Sequence, residues 1–384
     1  MRLRKEIRGA RRRLGIRSRF LLSGVVVASL AATLSVPVSA STANTKRCVT
    51  ANGVRVKDSS VCKGLAFYKG KTMTSYNIAS IGGPFYDLVV AAQPYVAQYL
   101  GANVNILSIT TGNSVPGQDS LAHATPDGLT YGVLNVLNDV SLVLTNTPGI
   151  NFNPARLAYL AATGVASSPL LTLPTSGYHT FADLIAASKA GTLKVLTQTT
   201  GTANTILRTW FGIMGIKPQW ISGYSSLSVE NTGFLRNDGP IADISLSTSC
   251  GNIVANQEVP IAVNLIPPVG TNCRKFLLNV PTFKDLEKQY PPKTKKEKTL
   301  WATLFALSAA SGTPFVTQTG VAGYKVDTLR AALKWTYAQP GFKSAMLAFG
   351  LNPTYTDPVV AKFNYINSIK NGASIVCYIQ ATCS

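Results

Sequence analysis

The sequence predicts an α/β protein in which helices cover a mostly parallel sheet. From residue 72 onward, short apolar stretches alternate with longer amphipathic ones, and Gly-, Ser- and Thr-rich loops lie between several of them. The length of 384 residues is sufficient for two domains. Alternating patterns of this kind are typical of βαβ units, whose strands run parallel.

The expected elements follow one another without an internal repeat. A helix over 84–100 carries Leu88, Ala92, Val96 and Leu100 on one face, and Pro94 is expected to kink it or to mark a short restart. Strands are expected over 72–80, 103–109, 129–134, 157–162, 169–173, 193–197, 241–246 and 259–266. Further helices are expected over 118–124, over 180–191 with Thr180 as the N-cap, over 206–214, and as a pair within 325–350 that breaks at Pro340-Gly341.

The first forty residues are predicted to be a secretory signal peptide. Nine basic residues and one acid lie within residues 1–19, an apolar run covers 20–36, and Val38-Ser39-Ala40 provides small residues for cleavage. The run has seventeen residues, the short limit for a membrane span, so an uncleaved anchor is the alternative. Arg11, Arg12 and Arg13 leave the export route open. We expect an exported protein, either periplasmic or secreted to the cell surface.

Basic residues exceed acidic ones along most of the chain. The formal net charge is +20, and +12 of it remains once the nine basic residues and one acid of the signal are removed. Only the stretch 284–298 concentrates this charge. It is expected to be a solvated surface loop, with a docking patch for an anionic partner as the alternative. No nucleic-acid motif is present, so no nucleic-acid partner is expected.

All six cysteines follow the signal, which suits an oxidising compartment. Six cysteines allow 15 pairings. Pairing of sequence neighbours is preferred because each couple encloses a short polar stretch, and closing a loop of that size stabilises by about 3 kcal/mol. The preferred couples are Cys48 with Cys62, Cys250 with Cys273, and Cys377 with Cys383.

Sequence signatures of catalysis are missing. No G-x-S-x-G, H-E-x-x-H, P-loop or G-x-G-x-x-G occurs, and no C-x-x-C offers metal ligands. His123 and His179 stand alone. We therefore expect no enzyme, no metal and no cofactor.

Three loops share one pattern, in which a strand runs into a Gly/Ser/Thr-rich loop and then into a helix start. They cover 80–87, 110–119 and 197–205. A helix start leaves backbone N–H groups unpaired and adds partial positive charge, and glycine allows close approach. Together these loops indicate a site that can hold a carboxylate without an arginine.

A resemblance extends this interpretation. The stretch 81–106 (IGGPFYDLVVAAQPYVAQYLGANVNI), followed by GQDSLAHAT and PDGLTYG, resembles the tripartite tricarboxylate transporter receptor family, the Bug-type extracytoplasmic solute-binding proteins. Later stretches keep the family's order: TGTANTILRTWFGIMGI, VPTFKDL, SGTPF and AFGLNP. The similarity covers about 73–353. It implies a two-lobed periplasmic-binding-protein fold, type II-like, with the ligand cleft between the lobes.

The resemblance also implies where the ligand is held. The family's first loop contacts the ligand with its main chain and an aspartate, its next two loops do so mainly through main-chain amides, and the strand end near Leu134 points toward the cleft. The implied ligand-binding residues are Gly82, Gly83, Asp87, Gly112, Asn113, Ser114, Asn135, Thr199, Gly201, Thr202 and Asn204. By contrast, Asp127 of the Pro126-Asp127-Gly128 stretch is interpreted as a turn residue.

The implied function is capture of a small organic carboxylate by a monomeric receptor that presents it to a membrane permease. Two alternatives stay open: a receptor that signals to a membrane sensor kinase, and a secreted surface-interaction protein. The expected domains are a signal peptide (1–40), a disulfide-tied extension (41–71), a first lobe (72–165), a second lobe (166–285), a return to the first lobe (286–358) and a C-terminal tail (359–384).

Overall fold

Strands and helices alternate along most of the chain. The computed structural model describes residues 47–79, 81, 83–110, 114–146, 151–198, 205–310 and 312–379. The strands are β1 (Cys48–Val49), β2 (Arg55–Val56), β3 (Thr72–Asn77), β4 (Asn103–Ser108), β5 (Thr130–Val133), β6 (Ala158–Ala162), β7 (Pro169–Thr172), β8 (Lys194–Gln198), β9 (Gln219–Tyr224), β10 (Ile241–Asp243), β11 (Val259–Val263) and β12 (Pro314–Thr317).

The helices within the same residues are α1 (Ser59–Tyr68), α2 (Pro84–Leu100), α3 (Val115–His123), α4 (Val136–Thr145), α5 (Phe181–Lys189), α6 (Thr205–Ile213), α7 (Leu227–Leu235), α8 (Leu246–Val254), α9 (Arg274–Leu277), α10 (Phe283–Gln289), α11 (Lys295–Ala310), α12 (Gly323–Ala338), α13 (Pro340–Ala348), α14 (Pro358–Asn371) and α15 (Val376–Ile379). None of these helices combines the length and the hydropathy that a membrane span requires. The expected helix over 84–100 is present with those limits and continues through Pro94.

The first lobe is built on a five-stranded sheet with the order β4-β3-β5-β12-β6. Strand β3 pairs in parallel with β4 and with β5, whereas β12 is antiparallel to both β5 and β6. Helices α1, α2, α12 and α13 pack on this sheet through one apolar core. Four of the five strands therefore run in the same direction, as expected for a mostly parallel sheet, and the exception is β12, which returns from the second lobe and runs against its neighbours.

The second lobe also contains a reversed strand. Strand β7 lies between β10 and β11 and is antiparallel to both, while β8 and β9 form a parallel pair next to β10. Like β12, β7 is the first strand after the chain changes lobes. The two reversed strands mark the points at which the chain crosses between the sheets, a topology that strand-by-strand patterns do not reveal.

The crossover segments are held together closely. The Thr163 backbone N–H donates to the Thr313 carbonyl at 3.0 Å, and the Thr313 N–H donates to Thr163 Oγ1 at 2.8 Å. Gly312 lies beside this pair, and a Cβ added there would be 2.5 Å from the Thr163 carbonyl oxygen. Only glycine fits at this contact.

The extension before the first sheet forms a small unit of its own. Strands β1 and β2 pair antiparallel, and a disulfide joins Cys48 to Cys62 of α1. The Tyr68 hydroxyl at the end of α1 donates to the Gly128 carbonyl at 2.9 Å, which fixes the extension to the first lobe.

That carbonyl belongs to the turn before β5. The Leu129 N–H donates to Asp127 Oδ1 at 2.8 Å, and Gly128 has φ +85°. The interpretation of Asp127 as a turn residue is confirmed.

The basic stretch 284–298 is exposed, but the prediction of a loop there is wrong for most of it. Helix α10 begins after a capping box in which Thr282 and Asp285 bond each other's backbone N–H groups, and α11 begins at Lys295. The prolines at 291 and 292 interrupt the helical structure between them. The capping residues determine the local structure here, and the prediction from charge alone did not take them into account.

A further apolar core connects the two lobes on the side of the C-terminal helices. Helix α11 packs against α6 and α14, and α14 packs against β6. The aromatic rings of Trp210 and Phe181 stack in this core with centroids 5.0 Å apart. A second disulfide, Cys250 to Cys273, ties α8 to the start of α9. Cys377 is disulfide-bonded, and its expected partner Cys383 lies outside the described residues.

Removing either described disulfide is expected to lower the free energy of unfolding by about 3 kcal/mol, because the closed loops are of similar length. The check is denaturant unfolding of the Cys250→Ala/Cys273→Ala variant beside Cys48→Ala/Cys62→Ala. A loss below about 1 kcal/mol in either variant would contradict the assignment of that cross-link as a constraint on the unfolded chain.

Candidate functional site

A cavity of about 250 Å³ lies between the two sheets. Its walls include the residues that follow β3, β4, β5 and β6 in the first lobe and the ends of β8, β10 and β11 in the second, together with the crossover segments. The reversed strands β7 and β12 begin at the same place, at Ser168 and Thr313. The topology thus brings loops that are distant in sequence to one cavity.

Helix starts dominate these walls. Residues at the first turn or N-cap of five helices line the cavity, and Ile206 of α6 does so as well. The contributing positions are Gly83 and Pro84 of α2, Ser114 of α3, Asn135 and Val136 of α4, Ser226 and Leu227 of α7, and Ser245 of α8. The first N–H groups of a helix have no partner within it, and the helix dipole adds positive potential there.

The cavity carries almost no side-chain charge. Asp243 is the one ionisable side chain among the described lining residues. The sequences of the neighbouring loops that are not described, 111–113 and 199–204, contain no Lys, Arg or His. Attraction for an anion therefore has to come from backbone N–H groups and hydroxyls.

Three of the residues expected to bind ligand line the cavity: Gly83, Ser114 and Asn135. Asp87 lies one turn into α2, is buried, and is not among the lining residues; burial raises the pKa of its carboxyl to about 6. The others, Gly82, Gly112, Asn113, Thr199, Gly201, Thr202 and Asn204, lie outside the described residues.

Gln118 is a buried residue that the sequence analysis did not single out for the site. Its Oε1 accepts from the Asn135 N–H at 2.8 Å, and its Nε2 lies 3.3 Å from Ser114 Oγ and 3.0 Å from Asp139 Oδ1. One side chain thereby joins the starts of α3 and α4. Its position one turn after the Gly-Asn-Ser loop was the signal available in the sequence.

Asp139 is fully buried below this junction. Burial raises its pKa to about 8, and the hydrogen bond from Gln118 acts in the opposite direction. At neutral pH the carboxyl is thus mostly protonated. The same burial raises the pKa of the neighbouring Tyr159 hydroxyl, to which Asp139 adds a smaller contribution.

Two asparagines line the cavity, and the side chains of both form hydrogen bonds with the backbone of the crossover segment. Asn264 Oδ1 accepts from the Ser168 N–H and its Nδ2 donates to the Ala166 carbonyl, both at 2.8 Å. Asn352 Nδ2 donates to the Val165 carbonyl at 3.1 Å. These bonds replace backbone pairing in a stretch that belongs to neither sheet, so both residues hold the crossover segment in place.

Asp243 ends β10 and faces the cavity. Its Oδ1 accepts from Ser168 Oγ at 2.6 Å. Burial raises the pKa of Asp243 to about 6, while the bond from Ser168 lowers it. At pH 7 the side chain is mostly ionised, which makes it a hydrogen-bond acceptor. A single carboxyl at the end of a short strand carries no sequence signal that would have identified it.

No protein-family model matches the chain, and no curated protein matches it in sequence. Solved structures do match it. The periplasmic binding protein BugD has a TM-score of 0.64 at 14% identity, over 80% of this chain and 97% of BugD. MatC from Rhodopseudomonas palustris, solved with bound malate, has a TM-score of 0.64 at 14% identity. The match covers 80% of this chain and 99% of MatC. Rpa4515 from R. palustris, solved with adipate, has a TM-score of 0.64 at 13% identity. The match covers 81% of this chain and 97% of Rpa4515.

These structures share the overall fold of this chain. The expected two-lobed periplasmic-binding-protein fold is confirmed, and so is the resemblance to Bug-type proteins at the level of fold.

The raised pKa of Asp139 predicts a pH dependence of stability. A carboxyl whose pKa is higher in the folded than in the unfolded state contributes stability that is complete below its ordinary pKa and is lost as the pH rises through the folded value, here about 8. Asp139→Asn keeps an acceptor for Gln118 and does not titrate. We expect its melting temperature to rise relative to wild type, by several degrees, between pH 5 and pH 8.

The measurement is thermal unfolding of both proteins across that pH range. Asp58→Asn is the control, because Asp58 caps α1 at an exposed position and Asn is an equally good cap. If the melting temperatures of Asp139→Asn and wild type differed by the same amount at every pH, the buried carboxyl would not titrate in this range.

Proposed function

We propose that the chain is an extracytoplasmic solute-binding receptor that captures a small organic carboxylate between its lobes for a tripartite tricarboxylate-type transporter. The observation that carries the proposal is the convergence of several helix starts on a cavity whose described lining includes no basic side chain. Unpaired N–H groups of this kind bind carboxylates and phosphates. A cavity of about 250 Å³ suits a small molecule.

The structural relatives support this assignment of ligand class. MatC was solved with malate and Rpa4515 with adipate, both of them dicarboxylates. The same fold in this chain places its own helix starts around the cavity. The proposal carries this ligand class over to the present chain.

Closure of the lobes is the proposed mechanism. A ligand that contacts α2, α3 and α4 of the first lobe and α7 and α8 of the second makes all of its contacts only in the closed arrangement. It therefore shifts the equilibrium toward closure by its differential affinity. The crossover segments, held by Asn264 and Asn352, act as the hinge. No chemical step is part of this mechanism.

The proposal extends to residues and partners. Gly83, Ser114 and Asn135 contact the ligand, together with Gly82, Gly112, Asn113, Thr199, Gly201, Thr202 and Asn204 of the neighbouring loops, and Asp87 orients it through water. Residues 1–40 act as a signal peptide, and the exported receptor is a monomer that delivers its ligand to a membrane permease. The lobes comprise 72–165 with 286–358, and 166–285.

Thermal unfolding of residues 41–384 with a panel of carboxylates and amino acids tests the proposal, after unfolding and refolding to remove bound ligand. A ligand at a hundred times its Kd stabilises by about 2.7 kcal/mol, which raises the melting temperature by a few degrees. We expect a rise for one class of carboxylate. A melting temperature unchanged by every compound would contradict the proposal.

The role of backbone N–H groups has its own test at the start of α7. Leu227 is the first residue of this helix and lines the cavity. Proline is tolerated at a first helical position but lacks the N–H. Leu227→Pro is expected to weaken carboxylate binding about 10- to 100-fold relative to Leu227→Ala, because a hydrogen bond to a charged group contributes about 1.5–3 kcal/mol.

Calorimetric titration of both variants measures the difference. Gly323→Pro is the matched control, since Gly323 begins α12 and the space beside it is open. Equal affinities of Leu227→Pro and Leu227→Ala would show that this helix start does not contact the ligand.

A further inference from the structure

A buried carboxyl lies directly behind one wall of the cavity. Residues 134–138 all line the cavity, and Asp139 is the next residue along α4. Its side chain is fully buried and accepts from Gln118 Nε2 at 3.0 Å. Gln118 also contacts Ser114 and Asn135, which both line the cavity. A single side chain therefore connects the Asp139 carboxyl with the cavity wall.

The surroundings of Asp139 favour its neutral form. Its Oδ2 is enclosed and has no hydrogen-bond partner among the described residues, and the same holds for the hydroxyl of Tyr159. An ionised carboxyl here would have one donor, Gln118, for two oxygens, and burial without donors penalises a charge. Burial accordingly raises the pKa of Asp139 to about 8.

The elements packed around α4 bring no cation into contact with Asp139. The ionisable side chains described on them are Asp119 and His123 of α3, Tyr159 of β6, Arg208 of α6, Lys295, Lys296, Glu297 and Lys298 of α11, and Lys362, Tyr365 and Lys370 of α14.

The cations in this set are occupied elsewhere or exposed. Lys362 Nζ lies 5.9 Å from the centre of the Tyr159 ring, and Arg208 stacks on Trp220 at 4.4 Å. Lys370 and the lysines of α11 are exposed, and His123 lies beside the Asp119 carboxyl. Within the described chain, only the hydrogen bond from Gln118 favours the ionised form of Asp139.

A negative charge in the cavity acts on this carboxyl across the wall. Consecutive Cα atoms are about 3.8 Å apart, so an anion in contact with residues 135–138 lies within about 10 Å of Asp139. At an effective dielectric constant of about 20, two like charges at about 10 Å repel enough to shift a pKa by about one unit. An anion in the cavity and an ionised Asp139 therefore disfavour each other.

We propose that the cavity binds its anionic ligand together with a proton on Asp139, so that ionisation of this carboxyl weakens binding. This inference rests on the proposed function and adds the regulation of the same site by pH. The coupling is reciprocal: if ionisation of Asp139 weakens ligand binding, bound ligand must strengthen proton binding by the same factor.

The sign of the effect follows from the pKa of the free protein. Below about pH 8 Asp139 is already neutral, so affinity does not depend on its titration. At higher pH a proton has to be taken up before the ligand binds tightly, and affinity falls by about tenfold once Asp139 stays ionised in the complex. Asp87 and Asp243, with pKa values of about 6, are mostly ionised throughout pH 7–9.5 and contribute little to this change.

Calorimetric titration of the wild-type protein provides the test. The probes are propionate, benzoate, succinate, malate and adipate, which are all ionised above pH 7. For each probe that binds, Kd is expected to rise about five- to tenfold between pH 7 and pH 9.5. At pH 8.5, titration in two buffers of different ionisation enthalpy is expected to show uptake of about half a proton per bound ligand.

Asp139→Asn separates titration from a structural role. Its amide oxygen still accepts from Gln118, and the side chain stays neutral at every pH. We expect the variant to bind with the wild-type Kd of pH 7, without a rise up to pH 9.5 and without proton uptake. The melting temperature checks that the fold is intact.

Glu258→Gln is the matched control. Glu258 is buried, burial raises its pKa to about 7, and it accepts from Asn252 at 2.8 Å. It precedes β11, whose opposite end continues into the lining residue Asn264, so it lies one strand length away from the cavity. This variant is expected to keep the pH dependence and the proton uptake of wild type.

The outcomes separate the two proposals. A wild-type Kd that is constant between pH 7 and pH 9.5, or an equal rise in Asp139→Asn, overturns the coupling and leaves the proposed function standing. The wild-type result alone can do this, even if the variant does not fold. If none of these carboxylates and none of the wider panel binds, both proposals are contradicted.

Discussion

The organising feature of this structure is the convergence of helix starts from both lobes on a cavity whose described lining carries no cationic side chain. A strand that ends at the cavity and continues into a helix leaves the first turn of that helix at the cavity wall, where the helix dipole adds positive potential. The helix starts at this cavity, including that of α6, come from both sheets. The reversed strands β7 and β12 are the first strands after the chain changes sheets.

Backbone donors are useful only if they are held in place, and buried polar side chains do this. Gln118 joins the starts of α3 and α4, and the neutral carboxyl of Asp139 lies below it. Asn264 does the same for the crossover segment. Each of these groups is costly to bury, and each reduces that cost through hydrogen bonds that also fix loop geometry. These networks lie within the cavity walls and along the crossover segments.

Features set by local chemistry could be predicted from the sequence. Helix α2 was expected with its observed limits because Pro84 and Gly101 mark its ends, and the turn at Asp127 follows from Pro-Asp-Gly. The reversed strands and the roles of Gln118 and Asp243 could not be predicted, because they depend on partners more than fifteen positions away. The helices within 284–298 were missed because charge was weighed above the capping box at Thr282.

The separation of charge from the cavity has a kinetic consequence. The basic side chains of the described residues lie outside the cavity lining, so they would act on the proposed anionic ligand through solvent. Such long-range attraction raises the rate of encounter and is screened within about 10 Å at 0.1 M salt. Contacts inside the closed cavity, made by N–H groups shielded from water, are screened far less. For the proposed ligand, ionic strength is therefore expected to change the rate of capture more than the residence time.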